Sequence, residues 1–164
     1  METAARLVFV DESGANTKMA RLRGRALGGQ RLVARIPHGH YQTSTLISGL
    51  RLNGPCAPRL FDGPMNGEMF LAWVRQGLAP TLQQGELVIL DNLATHKIRG
   101  IVEAIEAVGA RLLYLPPYSP DFNPIENMWS KIKQILRSQA PRTENELLLA
   151  AKAAFQAISA ADCE

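Results

Sequence analysis

The 164-residue sequence contains almost nothing from which a covalently stapled or zinc-held fold is made. Its two cysteines, Cys56 and Cys163, stand far apart and match no metal-ligand spacing, so free thiols in a reducing compartment are expected. Its three histidines, His38, His40 and His96, lack the spacing of a zinc site. No apolar run approaches the ~20 residues of a membrane span. The N-terminus lacks the basic head and apolar core of a signal peptide. There is no repeat, no low-complexity tract, and no glycine-rich loop of the kind that cradles phosphates at a helix start, which argues against a nucleotide cofactor. These absences leave a soluble cytoplasmic protein without a membrane partner. A hydrophobic content of 46% and a charged content of 20% are those of a globular chain. The length suits one domain over residues 1–164. The net charge of +3 favours an anionic partner.

What the sequence does have is carboxylates at the ends of buried strands. Arg6–Asp11 and Glu86–Asp91 are short apolar runs that each close on an aspartate. Such runs read as strands covered on both faces. A carboxylate at the carboxyl edge of an open sheet stands where these sheets place their ligands. A third acid, Glu126, follows a proline-rich stretch, with 34 residues between it and Asp91. Three acids from three elements at one sheet edge are oxygen ligands for Mg²⁺ or Mn²⁺. Each acid also has a plainer reading. Asp11 before Glu12-Ser13-Gly14 can open a turn, and Asp91-Asn92 can end a strand. Glu126 stands at the third helical position after Asn123 and Pro124, where a glutamate closes a capping box. Asp121, on the loop, competes as the third ligand. Burying three acids together without a cation would be costly, which favours a shared divalent site.

The chain order points to a mixed sheet. Arg31–Ile36 and Thr43–Ser48 read as antiparallel strands after the first, punctuated by Gly28-Gly29, Pro37-His38-Gly39 and Asn53-Gly54-Pro55. Asn66 caps a helix with Phe70, Trp73, Val74 and Leu78 inward. The strand ending at Asp91 leads to a helix from about His96 that carries Ile98, Ile101, Val102 and Ile105 and stops at Gly109. Arg111–Leu115 is another short strand. A helix from Pro124 turns Ile125, Met128, Trp129, Ile132 and Leu136 inward. Thr143-Glu-Asn-Glu146 is a capping box that opens a C-terminal helix over 143–159. Antiparallel strands followed by parallel crossovers give an α/β fold, a ribonuclease H-like mixed sheet with flanking helices.

Three blocks carry a family resemblance: Phe9-Val-Asp-Glu-Ser13, Leu90-Asp-Asn-Leu-Ala-Thr-His-Lys97, and Leu115-Pro-Pro-Tyr-Ser-Pro-Asp-Phe-Asn-Pro-Ile-Glu-Asn-Met-Trp129. Together they resemble the signature blocks of the Tc/mariner superfamily of DDE transposases, in its bacterial insertion-sequence branch, over about residues 6–138. The third block is long and specific; the first alone is weak. The resemblance implies a catalytic triad of Asp11, Asp91 and Glu126 and favours Glu126 over Asp121. It implies two Mg²⁺ or Mn²⁺ ions and double-stranded DNA, both element ends and target, as substrate. The implied activity is strand cleavage and strand transfer in cut-and-paste transposition, near the nucleoid of a bacterium. A homodimer on DNA is expected. The family's N-terminal helix-turn-helix region is absent from the sequence, so a frameshift partner, a separate helix-turn-helix protein or a truncated remnant is expected. A nuclease of the same fold and an inactive DNA-binding remnant are the rival readings.

Around the triad, Asn92 either orients the aspartate or caps the loop, and His96 either touches a phosphate or a bound water or makes an ordinary hydrogen bond. Lys133 and Arg137 share the helix face of Glu126, suited to DNA phosphates or to solvent. Arg21, Arg23 and Arg25 crowd a stretch that can track a DNA backbone. His38 and His40 read as loop residues. Trp73 and Trp129 read as core. Pro116, Pro117 and Pro120 hold the loop before Glu126 extended.

Overall fold

The computed structural model describes residues 4–117 and 123–163. Five strands form one sheet: β1 (Leu7–Asn16), β2 (Thr43–Arg51), β3 (Gly54–Asp62), β4 (Leu87–Leu90) and β5 (Arg111–Tyr114), in the order β3-β2-β1-β4-β5. β1 pairs antiparallel with β2 and parallel with β4; β2 and β3 form a hairpin, and β5 adds parallel to β4. This mixed order, with helices on both faces, is the ribonuclease H-like arrangement expected.

β1 is the central strand, and its alternation divides the core. Val8 and Val10 face a layer with Phe70, Trp73, Val74, Leu78, Ile101 and Ile105. Phe9 packs on the opposite layer, with Leu46, Leu50, Ile125, Trp129, Ile132, Leu136, Leu147 and Phe155. The first layer comes from α1 (Gly67–Trp73), its continuation through a π turn to Leu78, and α2 (Ile101–Glu106). The second comes from α3 (Ile125–Gln139) and α4 (Glu144–Gln156). Asn66 caps α1 by accepting from the Met69 amide, and the Thr143–Glu146 capping box opens α4. No helix among the described residues is long and apolar enough to cross a membrane.

Three expectations fail on tertiary grounds. β1 does not end at Asp11 but runs to Asn16, because residues Glu12–Asn16 find antiparallel partners in Thr43–Ile47. Sheet pairing thereby overrides the turn chemistry of Glu12-Ser13-Gly14. Residues 31–36 form no strand: the segment 17–42 is irregular, and Leu32, Val33 and Ile36 are exposed with no partner strand to cover them. The second crossover helix begins at Ile101, not at His96; residues Ala94–Lys97 form a 3₁₀ turn, and Gly100 (φ 102°) sets the helix start.

At the end of the sheet away from Asp11, Arg51 donates to Glu86 through Nε (2.7 Å) and Nη2 (3.0 Å), and Glu86 also accepts the Gln83 amide at 2.8 Å. Burial pushes the Glu86 carboxyl up, but these donors outweigh it and hold it below the usual range. Its contribution to stability is therefore full at neutral pH and is lost as pH falls through its depressed pKa. Arg51→Ala strands a buried carboxylate and is expected to cost about 3 kcal/mol, read as a lower midpoint in urea unfolding at pH 7. An unchanged midpoint would show the pair to be dispensable.

Candidate active site

Register brings the two aspartates together. The parallel pairing of β1 with β4 ends at Val10 opposite Leu90. Asp11 and Asp91 are the next residues on each chain, side by side where the two strands part. β1 continues toward β2, while residue 91 turns into a loop. Opposite Asp11 on β2 is Ser48, where the β2–β3 register shifts between Ile47 and Gly49. Such irregularities commonly re-aim side chains next to sites. Glu126 arrives from the first turn of α3. A cleft of about 390 Å³ is lined by Asp11, Asp91 and Glu126 together with Asn92, Leu93, Lys97, Leu115, Pro116, Pro117 and Asn123. Asp121 and Pro120 lie outside the described residues.

Each aspartate has one oxygen held by a neighbour. Trp129 Nε1 donates to Asp11 Oδ2 at 3.1 Å, so this tryptophan is both core and ligand holder. Asp91 Oδ1 faces His96 Nδ1 at 2.5 Å and also accepts the Leu93 amide at 3.2 Å. The other ring nitrogen of His96, Nε2, is 2.9 Å from Glu12 Oε2. His96 is fully buried and does not line the cleft, so it is not open to a phosphate.

The electrostatics differ between the two aspartates. Burial pushes the Asp11 carboxyl up; the Glu12 amide opposes this, but the charges of Glu126, Glu12 and Asp91 add to the rise, and the result is about 7. Asp91 is also pushed up by burial, yet the His96 hydrogen bond and charge and the Leu93 amide outweigh that and hold it below the usual range. His96 is pushed down by burial and up by its bonds to Asp91 and Glu12, reaching about 9. Its imidazolium form satisfies both carboxylates at once.

The plain reading of Glu126 as a capping residue finds no support in the hydrogen bonding. Pro124 occupies the cap position of α3 without a side-chain cap bond. Asn123, the expected cap, lines the cleft instead, and its Oδ1, like Asn92 Oδ1, is buried without a partner among the described residues. A buried acceptor without a donor is costly and marks a place for an ion, water or ligand. As placed, the three acids share the cleft without closing on one point: no three His, Cys, Asp or Glu side chains among the described residues are grouped to hold an ion. The donor set nonetheless fits a hard divalent cation: three carboxylates, one of which (Asp11) is hindered from ionising first by burial and then by its neighbours' charge, and two amide oxygens without partners among the described residues.

The basic residues singled out in the sequence line two grooves, with one exception. Lys18, Arg21, Lys133 and Arg137 line one groove of about 410 Å³ with Gly14 and Asn16 of β1. Arg21, Arg23 and Arg137 line an adjoining groove of about 500 Å³. No carboxylate lines either groove among the described residues. Arg25 is exposed on the same segment and lines neither, and His38 and His40 are exposed. Sequence reasoning missed Glu12, Lys97, Lys18 and the cleft position of Asn123. Glu12 would have been findable only with β1 carried past Asp11: alternation then puts it on the opposite face of a buried strand, where an acid needs a partner.

Comparison with known proteins is consistent with this geometry. The family model described as DDE superfamily endonuclease matches residues 6–148. No curated protein sequence matches significantly. Among solved structures, the pre-cleavage Mos1 transpososome superposes with a TM-score of 0.79 at 16% identity, over 98% of this chain and 51% of that one. The Mos1 mariner paired-end complex with Mn gives a TM-score of 0.75 at 17% identity, over 98% and 51%. The catalytic domain of Mos1 mariner transposase gives 0.71 at 16% identity, over 98% and 74%. The chain thus spans about half the length of the first of these and has the fold of the Mos1 catalytic domain.

Proposed function

Since this chain belongs to the DDE superfamily endonucleases, we propose that it is the catalytic domain of a Tc/mariner-type transposase of an insertion sequence, cleaving DNA strands and joining the freed ends to a target. The observation that carries this reading is the cleft at the parting of β1 and β4, lined by Asp11, Asp91 and Glu126 together with Asn92 and Asn123, whose amide oxygens are buried without partners among the described residues. Asp11, Asp91 and Glu126 would hold two Mg²⁺ or Mn²⁺ ions, with Asn92 and Asn123 beside them. When bound, such ions polarise the scissile phosphate and neutralise the charge that develops in an in-line displacement. Mos1 structures have been solved with Mn and with Mg.

The chain's own residues prepare the site before any ion arrives. Trp129 and His96 each hold one carboxylate oxygen of an aspartate that lines the cleft, which limits how that carboxylate can turn. Leu93, Leu115, Pro116 and Pro117 give it apolar walls. The double-stranded substrate is held by phosphate contacts from Lys133, Arg137, Arg21 and Arg23, with Arg25 nearby on the same exposed segment. Lys133 is seven residues beyond Glu126 on α3, about two turns and 10 Å along the same helix face. Base reading is left to a helix-turn-helix region or partner, and two copies are expected to act together on paired ends.

The test combines cleavage and joining. With Mg²⁺ or Mn²⁺ the chain should nick duplex DNA and join a pre-cut 3′-hydroxyl end to a plasmid, and Asp91→Ala or a chelator should abolish both. Nicking without joined product would leave a nuclease; metal-independent nicking, or full activity in Asp91→Ala, would overturn the site. Lys133→Ala with Arg137→Ala should weaken binding of any duplex alike and lower the salt slope by about 2.

A further inference from the structure

Glu12 plays no part in the proposed chemistry, yet it is an acid in the middle of a buried central strand. Its side chain points to the face opposite Asp11, and its side chain is only 14% exposed. There it meets His96 at 2.9 Å, and the far side of the same ring meets Asp91 at 2.5 Å. The ring is held from every side. Phe70 packs on it with centroids 4.3 Å apart. Its own backbone carbonyl accepts from the Tyr114 hydroxyl at 2.7 Å. The 3₁₀ turn that carries it is pinned under the start of α1, where a Cβ on Gly67 would overlap Ile98 Cδ1.

We infer that Glu12 and His96 form a positioning relay for Asp91, in which Glu12 fixes the His96 ring and the ring fixes the Asp91 carboxylate so that Oδ2 faces the cleft. Neither residue touches substrate. The carboxylate of Asp91 sits on a loop just past the end of β4, where its side-chain torsions would otherwise be free. With Oδ1 claimed by His96 Nδ1 and the Leu93 amide, the carboxylate can present only its other oxygen. Asp11 is held in the corresponding way by Trp129. The two aspartates are thus oriented from opposite faces of the sheet, one by α3 and one through the strand's own next residue. Adjacency of Glu12 to Asp11 has a physical sense on this reading: in a strand, successive side chains alternate faces, so one dipeptide supplies a carboxylate to the cleft and an anchor to the layer behind it.

The inference rests on Asp91 being a metal-holding residue, and the experiment separates the two claims. Mn²⁺ affinity of the whole chain is measured in the absence of DNA by electron paramagnetic resonance of free Mn²⁺. Melting curves and circular dichroism establish that each variant is folded. Glu12→Ala and His96→Gln should each weaken Mn²⁺ binding about tenfold, as loss of a partner behind a ligand does. Glu12→Gln, which keeps an acceptor oxygen for the ring, should lose less than threefold. The double variant Glu12→Ala/His96→Gln should bind no more weakly than His96→Gln alone, because Glu12 acts only through the ring. Additive losses would show Glu12 to act independently and would overturn the relay. Unchanged affinity in folded Glu12→Ala, with affinity lost in Asp91→Ala, would overturn the relay and leave the proposed function standing. Unchanged affinity in Asp91→Ala would overturn both.

Discussion

Glu126→Gln is expected to leave the chain folded and to abolish strand cleavage. Glutamine keeps the size and the hydrogen-bonding reach of a capping residue but not the negative charge. If Glu126 served α3 alone, the substitution would cost at most ~1 kcal/mol through the helix dipole and would spare activity. The local geometry already weakens that alternative. The cap position is Pro124, and among the described residues no side chain caps α3 and position 126 reaches Asn123 only through its backbone amide to the Asn123 carbonyl at 3.2 Å. Glu126 instead lines the cleft with both aspartates, and its charge helps keep Asp11 from ionising. Loss of a metal-holding carboxylate should lower the cleavage rate by about 10³-fold or more, roughly 4 kcal/mol in the barrier. Single-turnover cleavage with Mn²⁺, alongside a thermal melt, gives both quantities. Asp121→Asn should keep substantial activity. An active Glu126→Gln beside a dead Asp121→Asn would move the third ligand to the loop.

The parts legible in the sequence were those set by local periodicity. The apolar runs before Asp11 and Asp91, the caps at Asn66 and Thr143, and the inward stripe of α3 all became the elements they predicted, because buried strands and amphipathic helices carry their own period. The meeting of Asp11 and Asp91 was legible for the same reason, since two buried strands in parallel register place their following residues together. What was not legible depended on pairing across the chain. Glu12–Asn16 looks like a turn until β2 supplies its partners, and residues 31–36 look like a strand although nothing pairs with them. The relay through Glu12 was hidden by the first of these errors: with β1 ended at Asp11, Glu12 had no face. His96 was expected at a helix start, either touching a phosphate or bound water or making an ordinary hydrogen bond; the 3₁₀ turn and Gly100 place it behind Asp91, fully buried and hydrogen-bonded to Asp91 and Glu12. The groove of Lys133 and Arg137 was foreseen along α3, but its other wall, Lys18 and Arg21, required the fold.

Asp11→Asn is expected to stabilise the metal-free protein at pH 8 while destroying its function. The Asp11 carboxyl is raised from an ordinary 3.8 to about 7, first by burial and then, against the Glu12 amide, by the charges of Glu126, Glu12 and Asp91. The sign follows from proton binding. Between those two values the folded protein holds a proton on Asp11 that the unfolded chain has released. Stability therefore falls as pH rises through that window, and the deficit is complete above pH 7. Its upper bound is roughly 4 kcal/mol, from the separation of the two values. Asparagine keeps an acceptor for Trp129 Nε1 but carries no charge to bury. The variant should melt at least ~5 °C above wild type at pH 8, and the gap should close as pH falls toward 4. Millimolar Mg²⁺ should reverse the order, because an ion that binds only the native state stabilises the wild type and finds one carboxylate fewer in the variant. A gain that does not depend on pH would place its origin in packing rather than in charge. An Asp11→Asn protein that melts below wild type at pH 8 without metal would mean that the buried carboxylate is satisfied by the protein itself, and that the cleft does not need a cation.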